Sequence, residues 1–141
     1  MCNVKQRKIG NAKNTRLNIL VSPPALTAAG AGAGATPDDH FYVIEEGLNG
    51  RTTNVDFPIP PDRNGKNYLA PCLYTHSPLD LVITMLGGND LKNIFHRTAE
   101  DIVTGAAELI QIIQSTKYGH DMQSPPEILL IGYPAFCNAV D

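Results

Sequence analysis

Cysteine is scarce in this chain and widely scattered, with only Cys2, Cys72 and Cys137. That is too few for a disulfide framework, and no C-x-x-C pair is present to hold zinc, so buried or free thiols are expected. No apolar run approaches the roughly 20 residues needed to span a bilayer. The net charge is -3 and no basic run occurs beyond the N-terminus, which leaves no electrostatic footprint for a phosphate backbone. The expectation is therefore a protein without a membrane span, without nucleic acid as a partner, and located in the cytoplasm. One feature points elsewhere. Lys5, Arg7, Lys8, Lys13 and Arg16 precede the apolar Leu17 to Ala29 and the small residues "AGAGAGA", the order of a secretory signal, but Asn18 and Pro23-Pro24 interrupt its apolar part.

What is present is enough for one domain. A chain of 141 residues with 43% hydrophobic and 18% charged residues sits near the globular average and can build a single core. Composition divides it into an atypical segment, residues 1–39, basic and then Gly/Ala-rich, and a more regular region, residues 40–141. In the first, only "RLNILVS" (Arg16 to Ser22) reads as a strand. In the second, "HFYVIEE" is a β-branched and aromatic run ending in the Gly-rich "GLNGRTT". "FPIPPDRNGKN" has three prolines and the turn signal Asn64-Gly65 and predicts a loop. Leu69 and Leu73, one turn apart and stopped by Pro78, predict a short helix over Tyr68 to His76.

"DLVITML" is apolar on both alternating faces, as in a strand covered on each side. Thr98 and Asp101 resemble a capping signal, after which Ile102, Val103, Ala106, Leu109, Ile110 and Ile113 recur at helical spacing up to Gly119. "PPEILLIGYP" supplies another short apolar strand. The order β, loop, α, β, α, β argues for an α/β layer fold with right-handed crossovers. Ligands in such sheets bind beyond the carboxyl ends of the strands, where "GLNGRTT" and "GGND" both fall.

The stop at Gly87-Gly88-Asn89-Asp90 is abrupt: two residues that let the backbone turn, then an amide and a carboxylate that prefer water. A carboxamide donor beside a glycine N–H can stabilise the oxyanion that develops when a carbonyl carbon is attacked. Asn89 and Gly50 are the candidate pair. The plain alternative is that Asn89 and Asp90 are turn residues bonding their own backbone.

"VIEEGLNGRTTNVDFP", "NYLAPCLYTHSPLDLVITMLGGND" and "FHRTAEDIVTGAAELI" together resemble the SGNH hydrolases, or GDSL family, and within it the arylesterase and acyltransferase branch. The resemblance covers Tyr42 to about Pro134. It implies a three-layer α/β/α fold with a short parallel sheet, serine ester hydrolysis or acyl transfer without a cofactor or metal, and a small-molecule ester as substrate. The family's second block matches Gly50 as a backbone oxyanion donor, and its G-x-N-D block matches Gly87 to Asp90, with Asn89 as the side-chain donor.

The outer blocks depart from that pattern. No Gly-Asp-Ser occurs, and Ser22 is the candidate nucleophile only by its place at a strand end; it is followed by Pro23-Pro24 and reads equally as a loop serine. No Asp is followed three positions later by His, so the paired acid and base are missing. His76 reads as packing, His96 as a solvated residue at the pocket edge, and His40 and His120 as loop residues. The expectation is a partial domain, incomplete at both ends through truncation or a frame change. Such a chain exposes apolar faces of Val103, Leu109, Ile128 and Leu130 and is expected to self-associate, either as an esterase or as an inactive scaffold. A dinucleotide site at "GAGAGATPDD" is disfavoured, since its glycines alternate as G-x-G-x-G and open no periodic helix.

Overall fold

A computed structural model describes residues 17–22, 41–58 and 61–132. Four strands, β1 (Leu17–Ser22), β2 (Phe41–Glu45), β3 (Leu81–Thr84) and β4 (Glu127–Leu130), form one sheet in the order β2-β1-β3-β4. All three pairings are parallel, with Ile19 opposite both Val43 and Leu81 and with Val82 opposite Ile128. The segment of residues 1–39 thus contributes a strand that lies between two strands of the region that follows it. Strand β3 lies between β1 and β4, a central strand as expected. Only its Val82 and Thr84 face is buried, while Leu81 and Ile83 are half-buried, so the expected cover on both faces is not met among the described residues.

Two α-helices make the crossovers, α1 (Gly65–His76) between β2 and β3 and α2 (Ala99–Gln114) between β3 and β4. Both connections step across the sheet in the same direction, so right-handed crossovers place both helices on one face, and the two helices pack against each other. The chain is an α/β protein with a short parallel sheet. The expected second helical layer has no element among the described residues, and "GAGAGATPDD", His40, Cys2 and Cys137 lie outside them.

Helix α1 starts three residues before the predicted Tyr68. Asn64 serves as its N-cap, its side-chain oxygen accepting from the Lys66 and Asn67 amides at 3.0 and 3.4 Å, so an Asn-Gly pair that reads as a turn is a helix start. Helix α2 starts where predicted. Thr98 accepts from the Asp101 amide and the Asp101 side chain accepts from the Thr98 amide, a complete capping box. It ends at Gln114 rather than near Gly119, where the last turn tightens as the Ser115 and Thr116 amides donate to the Ile112 and Ile113 carbonyls three residues back.

The core lies between the helices and the sheet: Leu73 of α1, Ile113 of α2, Val82 of β3 and Leu79 are all buried, with Ile44, Ile112 and Ile128 packed against them. Leu109 is 1% exposed, which corrects its place among the uncovered residues. It faces the sheet from α2, whereas Val103 at 68% and Leu130 at 44% do stand open. Ile128 is half-buried against the core. Among the described residues no helix is long and apolar enough to cross a membrane.

Candidate functional site

The loops after β2 and β3 meet at the carboxyl edge of the sheet. Gly50 has φ +81° and Gly87 φ +116°, the left-handed region that side chains other than glycine's disfavour. Gly88 sits in ordinary helical backbone at φ -63°, so the second glycine of the pair is not demanded by the turn. The chain then winds into a short 3-10 turn, Asn89–Leu91. Asn89 Nδ2 donates to the Arg51 carbonyl at 2.9 Å. The Asn89 amide therefore reaches the residue adjoining Gly50. One of its two hydrogens is spent on orientation, and among the described residues the other meets no acceptor. Gly50 is buried, and among the described residues its N–H meets no acceptor.

Asp90 explains how the two loops stay together. Expected to seek water, it is 0% exposed. Its carboxylate accepts from the Thr53 amide at 3.0 Å, from the Thr53 hydroxyl at 2.6 Å and from Arg97 at 3.3 Å. Arg97 also donates to Asn54 Oδ1, and Asn54 Nδ2 donates to Glu108 Oε2 on α2 at 2.8 Å. That bond, and then Lys66 at 3.2 Å, hold the Glu108 carboxyl below its usual range. A buried carboxylate with this many donors is satisfied, and each charge-assisted bond is stronger than a neutral one. Thr53 also touches α2. A Cβ on Gly105 would lie 2.2 Å from the Thr53 hydroxyl oxygen, so the helix approaches the loop through the one residue type that fits.

Behind the loop lies a second cluster. Glu46, just past β2, accepts from the Tyr68 hydroxyl at 2.5 Å and pairs with His76 Nε2 at 2.7 Å. Its backbone carbonyl takes Arg51 at 3.0 Å, and the Arg51 guanidinium lies 4.0 Å over the Tyr68 ring. Burial, with the Glu46 charge next in size, pushes the Cys72 thiol up to about 11, and the Glu46 bond holds the Tyr68 phenol above its ordinary range. Sequence reasoning placed His76 in packing and gave Tyr68 and Glu46 no role. The spacing Tyr68-x3-Cys72-x3-His76 on α1 was the available signal, because it sets all three on one helix face.

Strand register sets the Ser22 backbone opposite Thr84, on the same edge of the sheet as both loops. The described histidines lie elsewhere. His76 is taken by Glu46, His120 Nδ1 is 3.2 Å from Asp80, and His96 is exposed in left-handed backbone at the end of a short 3-10 turn. On the other side of Gly87, an apolar groove of about 290 Å³ runs between Leu86, Ile102, Val103 and Leu130. Gly50 and Asn89 thus lie in the two loops at the carboxyl edge, and Gly87, two residues before Asn89, lines the apolar groove.

The inhibitor-bound form of an aryl esterase from M. smegmatis is similar to this chain, with a TM-score of 0.71 and 38% identity over 84% of this chain and 64% of that one. A carbohydrate acetylesterase from Sinorhizobium meliloti, Est24, is similar with a TM-score of 0.72 and 32% identity over 84% of this chain and 65% of the other. A second structure of a carbohydrate acetylesterase family member from the same organism gives 0.72 and 35% over 89% and 66%. The chain spans just under two thirds of these relatives. No family model matches it, and the search of curated proteins finds no match.

Proposed function

Because the chain belongs to the SGNH hydrolase family, in its arylesterase branch, we propose that it acts on small carboxylic esters by serine chemistry, with the Gly50 N–H and Asn89 Nδ2 as the oxyanion donors and Ser22 as the nucleophile. The observation that carries the proposal is the Asn89 bond to the Arg51 carbonyl, which fixes the carboxamide beside Gly50 while leaving one N–H to give. In this reading the Ser22 hydroxyl oxygen attacks the ester carbonyl carbon and gives its proton to solvent water, and negative charge collects on the carbonyl oxygen, where both donors receive it. The C–O bond to the alcohol then breaks with that alcohol leaving protonated, and water cleaves the acyl-serine to the carboxylic acid. Donors preorganised in this way need no reorganisation as the charge forms. The acyl group would rest against the groove beside Gly87, and acyl transfer to an alcohol follows the same first half.

The serine proton needs a base, and no described histidine touches Gly50 or Asn89. Expected turnover is therefore slow, far below that of a site with a working triad, because a serine without a base is a weak nucleophile. Hydrolysis of a short-chain aryl ester by the full chain measures this. Asn89→Ala is expected to lower turnover about 10²- to 10³-fold and Ser22→Ala to remove it; a parent chain no faster than buffer overturns the proposal.

A second reading, an inactive scaffold that self-associates, is favoured by the open apolar side chains of Val103 and Leu130 along the groove. It expects a dimer or larger species in sedimentation at micromolar concentration. A monomer there, with turnover, leaves the esterase reading alone. A cytoplasmic location belongs to both proposals.

A further inference from the structure

We propose that Glu46, Cys72 and His76 form a binding site for one divalent transition-metal ion of borderline softness, of which Zn²⁺ is the type, held by the Cys72 Sγ, a His76 ring nitrogen and a Glu46 carboxylate oxygen. The three ligand atoms lie within 4.8 Å of one another. They come from two elements. Cys72 and His76 are one turn apart on the same face of α1, and Glu46 closes on them from the end of β2. A tetrahedral zinc site with the usual bond lengths spaces such ligand atoms roughly 3.4 to 3.6 Å apart. The 2.7 Å contact between Glu46 and His76 has to open to reach that spacing, and a small rotation of the partly exposed His76 and Glu46 side chains supplies it.

Donor chemistry selects the ion. One thiolate, one imidazole and one carboxylate suit zinc or cobalt and suit magnesium or calcium poorly, since those prefer oxygen alone. Charge balances as well: the ion displaces the thiol proton to solvent, and a thiolate with a carboxylate neutralises two positive charges, so the Arg51 guanidinium nearby faces no net repulsion. Access is one-sided. Cys72 is 4% exposed, while the His76 and Glu46 side chains keep 28% and 20% exposure. The fourth position falls to a water or to the Tyr68 hydroxyl, which already bonds Glu46.

Such an ion would fasten α1 to the segment that leads into Gly50, but the proposal does not depend on the esterase reading and its test measures no turnover. The full chain, in a Cys2→Ser and Cys137→Ser background, is titrated with Co²⁺. The expected result is a thiolate-to-cobalt charge-transfer band that saturates at one ion per chain and is abolished by one equivalent of Zn²⁺. Cys72→Ser is expected to abolish the band, and His76→Gln to weaken Co²⁺ binding at least about tenfold. His76 is partly exposed and its variant is expected to melt cooperatively, so it carries the test if Cys72→Ser fails to fold. No band at one equivalent, a band that survives Cys72→Ser, or unchanged affinity in His76→Gln each overturns the proposal.

Discussion

The two sides of Gly87 are built differently. On one side the loops after β2 and β3 are locked together by a fully buried carboxylate, a side-chain amide and an arginine. On the other side, the groove between α2 and β4 is apolar and open, with Val103 and Leu130 in solvent. Polar groups out of water need their partners in fixed geometry, so the first side is rigid. Apolar surface has no such geometric demand, so the second side can be covered by whatever fits it. The proposed ester site would use both properties, fixed donors for one oxygen and an adaptable surface for the acyl group.

The sharpest way to break this contrast is Asp90→Ala. It strands the Thr53 amide, the Thr53 hydroxyl and Arg97 at once, and removing one partner of a buried ion pair typically costs about 3 to 5 kcal/mol. Unfolding in urea is expected to show that loss, large against the whole stability of a domain this size. A cost below about 1 kcal/mol would mean that the two loops hold together by other contacts. Gly105→Ala acts on the same side by packing. Its new methyl meets Thr53, whose hydroxyl oxygen would be 2.2 Å away and cannot swing aside while it bonds Asp90. Overpacking of this kind costs about 1 to 3 kcal/mol, against which the better helix propensity of alanine returns about 1. The net is expected to be destabilising, with a lower midpoint in the same urea titration; an unchanged midpoint would show that α2 rides freely over the loop.

The open side was the more legible one in the sequence, and the locked side the less. Strand β3 announced itself by apolar residues on both faces, and α2 by Thr98, Asp101 and a helical period, because these signals act between neighbours in the chain. Val103 and Leu130 as exposed residues followed instead from the resemblance, through the missing final strand and helix. For Leu109 that expectation failed, since its burial depends on which way α2 lies against the sheet. Asp90 reads as a turn residue because its partner Thr53 is 37 positions away, and no local rule reaches that far. Asn64 shows the converse: the same two letters serve a turn or a helix start, and what decides is whether Lys66 and Asn67 continue as helix. Glu46 opposite Cys72 and His76 was hidden for the same reason as Asp90, though the helical half of that cluster stood in plain spacing.

The mildest perturbation tests the hinge between the two sides, the first turn of α2, which carries Ala99 and Ile102 to the groove while Arg97 just before it holds Asp90. Thr98→Ala removes the cap and is expected to cost about 1 kcal/mol. The backbone amide of Thr98, and then its hydroxyl, hold the Asp101 carboxyl below the ordinary 3.8. A carboxyl depressed in the folded state adds stability that is present in full above that ordinary value and is lost as pH falls through the folded one. Asp101→Asn is therefore expected to melt below the parent at pH 7 and to converge with it as the solution is acidified below about pH 4. Thermal melts at pH 7 and pH 3 measure the two gaps. Equal gaps at both would show that the carboxylate charge contributes nothing to the cap, and that the first turn of α2 is held from the groove side instead.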